Sequence, residues 1–188
     1  VLEEIDSLRK IFAVPEEGGL VSYSGLGPAA SKVYQRDRGL SIGGYGEVVF
    51  EGEVGDETGS QNELDALRGV LYVGYKFNDW IVFNSEIEFA QASDHVDIEV
   101  VTLAFLFSDE INARAGLLLA PMGFVNEIHE PVFFFGANRP EVERVLIPST
   151  WRENGAGIYG TIAERIDYRI YGMNGFRASG FSDAGIRG

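Results

Sequence analysis

The sequence predicts an all-β fold: a transmembrane antiparallel up-and-down β-barrel, preceded by a short N-terminal helix. Apolar and polar residues alternate from Leu40 onward at a period of two, which is typical of strands with one apolar and one polar face. The connections between these strands are short and long in turn, as they are in barrels that cross a membrane. No apolar run approaches the ~20 residues that a membrane helix needs. Together these observations favour a membrane-spanning barrel over a helical membrane protein.

The composition excludes several other classes of protein. The 188 residues are 45% hydrophobic and 12% aromatic, which excludes a disordered chain. There is no cysteine, so a disulfide scaffold and a thiolate metal site are excluded. The formal net charge of −14 argues against nucleic-acid binding, because neutralising phosphates requires clustered lysine and arginine. No charged and apolar leader opens the chain, so we expect any signal peptide to have been removed.

Residues 1–38 are predicted to form an N-terminal amphipathic helix followed by a linker. Proline and glycine residues at 15–19 end the helix, and residues 14–38 show no clear periodicity. The helix is either a segment that packs with a partner or a frayed terminus. Its apolar side chains recur at helical spacing: Leu2, Ile5, Leu8 and Phe12.

Residues 39–188 are predicted to form the N-terminal part of the barrel. Residues 96–107 alternate poorly, because both faces become apolar after Asp97 and Glu99. Residues 184–188 could begin an eighth strand. Six strands have one apolar and one polar face: 40–51, 66–77, 81–90, 111–120, 155–163 and 166–173.

The lengths of the connections indicate which of them lie on the extracellular side of the membrane. If the first strand rises from the periplasm, residues 121–154 form the third extracellular loop, and it is much the longest. Such a loop has little room in an eight-stranded barrel, whose interior is filled by side chains. We therefore expect about 16–18 strands in full, of which this chain covers the first seven or eight. Long or modest connections at 52–65, 92–95, 121–154 and from 174 onward alternate with tight turns at 78–79, 108–110 and 164–165.

The long loop and two of the strands carry a family resemblance. The loop reads PMGFVNEIHEP at 121–131, NRPEVE at 138–143 and IPSTWRENG at 147–155. Together with NARAG at 112–116 and GGYGE at 43–47, this set resembles the phosphate-selective porin O and P-like family of Gram-negative outer-membrane porins. The similarity covers roughly residues 40–175.

The resemblance implies a water-filled pore in the bacterial outer membrane, surrounded by lipid and assembled as a homotrimer. In that family the third extracellular loop folds inward and narrows the pore, through which ions and small hydrophilic solutes diffuse passively. Such a protein is not an enzyme. This chain departs from the family's phosphate selectivity, because it has 29 acidic against 15 basic residues and no evident basic ladder. We expect a mild preference for cations.

Two sets of polar residues are predicted to face the pore. The first lies in the loop and forms the constriction: Asn126, Glu127, His129, Glu130, Arg139, Glu141, Glu143, Arg152 and Glu153. The second lies on the wall: Arg68, Lys76, Glu86, Glu88, Arg114 and Arg169. Charged groups in a narrow pore set the field that a permeating solute feels. Hydrogen-bonded loop anchors and salt bridges between these arginines and glutamates are equally open interpretations.

The loop also contains apolar residues that we expect to anchor it against the wall. These are Phe124, Val132, Phe133, Val145 and Ile147.

Sites of other kinds have weaker support. No cofactor and no metal site is predicted, although His129 beside Glu127 and Glu130 could ligate a metal. Oxygen ligands suited to calcium occur at Glu51, Glu53, Asp56 and Glu57, without EF-hand spacing. Ser149 shares the loop with His129, but no nucleophile-elbow pattern surrounds it, so an outer-membrane hydrolase is a distant alternative. A soluble β-sandwich that binds a ligand is the main alternative.

Overall fold

The part of the chain that the structure describes contains an antiparallel sheet of seven strands that follow one another in chain order. The computed structural model describes residues 21–52, 62–90, 95–146, 150–176, 179, 181–182 and 185–186. The strands are β1 (Gly39–Gly52), β2 (Asn62–Asn78), β3 (Ile81–Ala90), β4 (His95–Leu106), β5 (Asn112–Leu119), β6 (Arg152–Ile162) and β7 (Ile166–Met173). The predicted all-β fold and its seven strands are confirmed. Within the described residues the sheet is not closed, and β1 and β7 are its edges.

Some boundaries differ from the prediction. β2 begins at Asn62, four residues before the predicted start at 66. Its first residues extend the pairing with β1 as far as the pair Gly52 and Asn62. The possible eighth strand at 184–188 does not extend the sheet, because Gly185–Ile186 (β9) pairs with Phe181–Ser182 (β8) in a separate two-stranded ladder. The predicted helix at 1–13, most of the loop 52–65 and most of the loop 92–95 lie outside the described residues.

A β-bulge explains the poor alternation in β4. Glu86 of β3 pairs with Val100, whereas its neighbour Ile87 pairs with Ile98, so Glu99 is an extra residue in the ladder. As a result Glu99 and Val100 are both buried on one side of the sheet. A shift of one residue reverses the faces of a strand, which is why the period of two breaks here.

The two faces of the sheet differ in exposure and in chemistry. One face, called the outer face, exposes large apolar side chains, among them Phe50 at 66% and Ile170 at 63%. The other, called the inner face, carries polar side chains that are buried beneath other parts of the chain, such as Asn84 and Thr102. The exposed apolar side chains of the strands are Ile42, Val48, Phe50, Leu64, Leu71, Tyr75, Phe77, Phe89, Val96, Ile98, Leu103, Ile158, Ile162, Ile166 and Ile170.

Residues 21–36, called here the inner segment, lie against the inner face. They contain a short helix, α1 (Pro28–Ser31), and a 3₁₀ turn (Lys32–Gln35). The segment buries Leu26, Ala30, Val33 and Tyr34. Fully burying one such apolar side chain stabilises a fold by about 1.5–3 kcal/mol. These residues fall within the predicted linker at 14–38, and no periodic pattern in the sequence indicates their packing. Their partners on the strands are Val70, Tyr72, Val82, Val100, Ala104 and Leu119.

The connection between β5 and β6 lies on the same face. It contains a 3₁₀ turn (Pro131–Phe133) and a single π-helical turn (Val142–Leu146). Among the described residues, no helix is long and apolar enough to cross a membrane.

The inner segment approaches β2 most closely at Gly74. A Cβ atom added to Gly74 would lie 2.7 Å from Cβ of Val33, closer than packed carbon atoms come. At Gly69 of the same strand, an added Cβ would meet nothing within 4 Å. Glycine at 74 is therefore required by the contact between the strand and the inner segment.

We predict that Gly74→Ala lowers the free energy of unfolding by about 1–3 kcal/mol through overpacking. The matched control Gly69→Ala should leave it unchanged or raise it by up to about 1 kcal/mol. Denaturant titration followed by circular dichroism measures both, and proteolysis should cut the inner segment faster only in Gly74→Ala. Equal losses in the two variants would contradict the proposed contact.

Candidate functional site

The candidate site lies on the inner face, beneath the connection that joins β5 to β6. This connection, residues 120–151, is called here the long loop. Its two ends are held together, because the backbone N–H of Ala120 donates to the carbonyl oxygen of Trp151 at 2.9 Å. A long loop whose ends meet can fold back over the sheet without disturbing the strands.

Asn126 fixes the start of the loop. Its Nδ2 donates to the carbonyl oxygens of Ala120 at 2.7 Å and Trp151 at 2.9 Å, and its Oδ1 accepts from the backbone N–H of Trp151 at 2.7 Å. The side chain is 1% exposed. Buried amide groups with all these partners hold a backbone rigidly.

His129 lies at the centre of the site, between two carboxylates of the strands. Its Nε2 is 3.0 Å from Oε1 of Glu86 on β3 and 3.3 Å from Oε2 of Glu99 on β4. Its Nδ1 lies 3.2 Å from the carbonyl oxygen of Asn126. All three side chains are buried. The imidazole thus joins the long loop to the sheet.

The surroundings of His129 determine its charge. Burial by itself lowers the pKa of His129, but the hydrogen bond to Glu86 and the attraction of the Glu86 and Glu99 carboxylates outweigh burial and raise the pKa to about 9. With no metal bound, the imidazole is therefore cationic at neutral pH and neutralises part of the buried negative charge. A second cation, Arg152, places Nη1 3.3 Å from Oε1 of Glu99.

Two further glutamates connect the loop to other parts of the inner face. Oε1 of Glu130 accepts from the backbone N–H of Ala29 in the inner segment at 2.8 Å. Burial raises the pKa of Glu130, and the backbone N–H groups of Ala29 and Ala30 oppose that shift. Glu127 lies 3.0 Å from Nε of Arg169 on β7. Burial raises the pKa of Glu127, and Arg169 opposes the shift.

Glu143 folds the second half of the loop back on its start. Its buried carboxylate accepts a hydrogen bond from the backbone N–H of Phe124. The polar residues Asn126, Glu130 and Glu143 thus hold the loop in place.

An open cavity of about 680 Å³, called here the vestibule, separates the far part of the loop from β1, β2 and β3. Arg68 on its wall bridges Glu47 at 2.8 Å and Glu88 at 3.0 Å. In the described part of the chain, no cation lies within ion-pair distance of the vestibule residues Glu51, Glu63 and Asp65. The vestibule therefore has a net negative wall. Its charged residues are Glu47, Glu51, Glu63, Asp65, Glu88, Glu141, Arg68, Arg139 and Arg144.

Other predicted residues occupy separate places. Arg114 of β5 is buried, with its guanidinium 4.4 Å from the ring centre of Tyr159 and 3.4 Å from the hydroxyl of Tyr34. Arg139 donates to Oγ1 of Thr150 at 3.1 Å and lies over Phe134. Burial lowers the pKa of Arg139. Arg144 and Glu141 form an exposed pair on the loop. Lys76 and Glu153 are half-buried on β2 and β6.

Three of the predicted apolar anchors of the loop, Phe124, Val132 and Val145, do not pack against the described strands. Phe124 is 87% exposed and Val132 is 69% exposed. Val145 is also exposed, Phe133 is half-buried, and Ile147 lies outside the described residues. The face that the loop covers is polar near the loop, so buried hydrogen bonds and ion pairs attach it where apolar contacts were expected.

The structure also changes the partners suggested for His129. Glu127 and Glu130 bind elsewhere, and the carboxylates beside the imidazole are Glu86 and Glu99. Glu99 was missed because its strand alternates poorly after this residue, although Glu99 lies on the same face as Asp97 and Arg152 pairs with both. Of the suggested calcium ligands, Glu51 is exposed at the vestibule, and Glu53, Asp56 and Glu57 lie outside the described residues.

Comparison with known proteins gives one informative match. No family model matches the chain, and no solved structure matches it. An uncharacterized protein of Aquifex aeolicus (strain VF5) is 44% identical over 178 residues, which cover 91% of this chain and 40% of that protein. The chain thus spans less than half the length of this relative.

We predict that Asn126→Ala releases the long loop. The substitution leaves buried carbonyl and N–H groups of Ala120 and Trp151 without their side-chain partner, which should lower the free energy of unfolding by at least about 2 kcal/mol. Limited proteolysis should cut the loop faster than in the wild type. Asn138→Ala, the same substitution at an exposed position of the same loop, is the control. If both variants were cut at the wild-type rate, Asn126 would not be the anchor.

Proposed function

We propose that this chain is the N-terminal part of an outer-membrane porin, in which the sheet is the first portion of a closed barrel. The pore allows passive diffusion of ions and small hydrophilic solutes. The long loop narrows it from inside. The resemblance of the loop to the phosphate-selective porin O and P-like family motivates the proposal, and the exposed apolar face of the sheet supports it.

The exposed apolar face of the sheet is the observation that carries the proposal. In a soluble sandwich the apolar faces of two sheets meet in a core and the charged faces lie in water. Here the covered inner face carries charged and polar side chains such as Glu86 and Glu99 beside apolar ones, and rows of apolar side chains from Ile42 to Ile170 are exposed on the outer face. Contiguous apolar surface of this extent is rare on soluble monomers. Lipid is the environment that suits it.

The number of strands suits a wide barrel. The seven strands lie in a chain that aligns with 40% of the Aquifex relative. At the same density of strands, the whole length of such a protein would hold about 17, close to the 16 or 18 of barrels that enclose an aqueous channel. The unpaired edges of β1 and β7 would then pair with the strands still to come.

The charges of the vestibule favour cations. Arg68 is shared between two glutamates, and Arg144 is paired with Glu141. The acidic residues Glu51, Glu63 and Asp65 remain to set the potential at the wall of the cavity. A concave surface of one sign concentrates counter-ions and raises their rate of entry. Assembly as a homotrimer rests on the family resemblance and stays a prediction, which native mass spectrometry in mild detergent can test.

We predict that Ile158→Lys weakens folding into lipid. Ile158 lies near the middle of β6 on the outer face, and a lysine at the centre of the bilayer costs about 2–4 kcal/mol. Ile158→Leu, which keeps the face apolar, is the matched control. Urea titration of the full-length protein in phosphocholine vesicles measures the difference. A folded monomer that is stable without detergent, with Ile158→Lys as stable as the wild type, would favour the soluble sandwich.

We predict that replacing residues 123–149 by a short glycine-serine linker raises single-channel conductance in planar bilayers. The linker can join the ends, because Ala120 and Trp151 are already hydrogen-bonded at 2.9 Å. Val132→Ala, at an exposed position of the loop, should keep the wild-type conductance. The reversal potential of the wild type under a salt gradient should show a cation preference. Unchanged conductance after loop replacement, with an anion-selective reversal potential, would contradict both the constriction and its selectivity.

A further inference from the structure

Glu86, Glu99 and His129 form a compact group of nitrogen and oxygen ligands. One ligand atom from each residue can be chosen so that all three lie within 4.8 Å of one another. The separations of 3.0 and 3.3 Å between Nε2 and the two carboxylate oxygens match those between neighbouring ligands of a first-row metal ion, which binds nitrogen and oxygen at about 2.0–2.2 Å. The residues come from β3, β4 and the long loop, so the fold alone assembles the group.

The orientation of His129 makes this group a site for a cation. A carbonyl oxygen only accepts, so the 3.2 Å contact with Asn126 requires a proton on Nδ1. In the neutral imidazole, the lone pair of Nε2 then points toward the two carboxylates. Metal-bound histidines have the same orientation: one ring nitrogen binds the metal and the other donates to a backbone carbonyl. The gap between these three side chains must hold a cation, either a proton on Nε2 or a metal ion.

One proton cannot satisfy both carboxylates. An N–H on Nε2 can point at only one oxygen, and Glu86 takes it at 3.0 Å. Oε2 of Glu99 lies 3.3 Å from the same nitrogen, yet it is fully buried and accepts no hydrogen bond. A buried acceptor without a partner costs about 1–3 kcal/mol, more when it is charged. This unpartnered oxygen points into the group and favours a metal ion, which would bind both carboxylates.

We propose that Glu86, Glu99 and His129 bind a divalent first-row transition metal, with Zn²⁺ as its representative. An imidazole among the three ligands selects against calcium and magnesium, which prefer oxygen alone. The two carboxylates balance the charge of a divalent ion, and Arg152 beside Glu99 also lies 3.8 Å from Asp97, whose carboxylate balances its charge. A cavity of about 20 Å³ bordered by Glu86 and His129 has room for roughly one water molecule as a fourth ligand.

The surroundings of the group are already organised for such an ion. Asn126, whose carbonyl orients the imidazole, is itself held by three hydrogen bonds. Oε1 of Glu99 faces Arg152 at 3.3 Å, which leaves Oε2 for the metal. The bound ion would link the long loop to two strands of the wall. The site does not depend on the porin proposal, since it rests on contacts within this chain.

The test is a zinc titration of the full-length protein folded in detergent, after treatment with a chelator and dialysis. Isothermal titration calorimetry should show one equivalent of Zn²⁺ bound at micromolar concentration or tighter, and the loop should be cut more slowly by protease with Zn²⁺ than without it. Ca²⁺ at the same concentration should give neither effect. A wild-type protein that takes up no stoichiometric Zn²⁺ overturns the proposal without any variant.

Three variants locate the ion. Glu86→Gln and Glu99→Gln keep the size of the side chain and should weaken Zn²⁺ binding about 100-fold or more, since even residues that only support a metal ligand contribute about 10–100-fold. Glu88→Gln is the matched control, because Glu88 lies on the same strand and face and pairs with Arg68 instead; it should bind as the wild type does. Circular dichroism and detergent-gel mobility check that each variant folds. Binding that all three variants retain would overturn the assignment, while the conductance experiments would still decide the porin proposal separately.

Discussion

The arrangement of the inner face depends on two carboxylates that the strands bury. Glu86 and Glu99 enter the interior from β3 and β4, where an ionised group without a partner is strongly destabilising. Among the described residues, the neighbouring strands β2 and β5 place no cation within ion-pair distance of Glu86 or Glu99. The positive charge comes from the long loop through His129 and from the start of β6 through Arg152. The strands can therefore keep these carboxylates buried only when the loop is folded over them.

This requirement explains why the loop is attached by polar contacts. A loop held by apolar residues would leave Glu86 and Glu99 unneutralised, and the apolar side chains of Phe124 and Val132 in fact remain exposed. The apolar part of the inner face lies farther along, around Val33, and the inner segment covers it. The long loop therefore covers the charged part of the inner face, and the inner segment covers the apolar part. Glu130 joins the two, because its carboxylate accepts from the backbone N–H of Ala29.

The sequence predicts those parts of the structure that repeat with a local period. Six of the seven strands from Leu40 onward show one apolar and one polar face in the sequence, so the strands and the long loop could be predicted from alternation and from the lengths of the connections. The role of Glu99 could not be predicted, because the bulge puts Val100 on the same face and breaks the alternation of β4 after Glu99. The partners of His129 lie on strands far from it in the sequence, and no local pattern relates them. The packing of residues 21–36 could not be predicted for a similar reason. A segment of 16 residues with one short helix has no period, and its apolar side chains are recognisable as core residues only from the strands that they contact.

The same contacts separate the groups that hold the proposed constriction from those that would act on a permeating ion. Glu86 and Glu99 face His129 and Arg152, Glu127 faces Arg169, and Glu130 accepts backbone hydrogen bonds. These charges are compensated and buried, so their field falls off within a short distance. The acidic residues of the vestibule, such as Glu63 and Asp65, are not compensated in this way by the described part of the chain and lie at the surface of a cavity open to water. In the proposed porin, the deep residues therefore determine how wide the passage is, and the vestibule determines which ions are concentrated at its entrance. A substitution among the deep residues can then change conductance without changing selectivity. A substitution in the vestibule can change selectivity without changing conductance, because the two properties depend on different side chains.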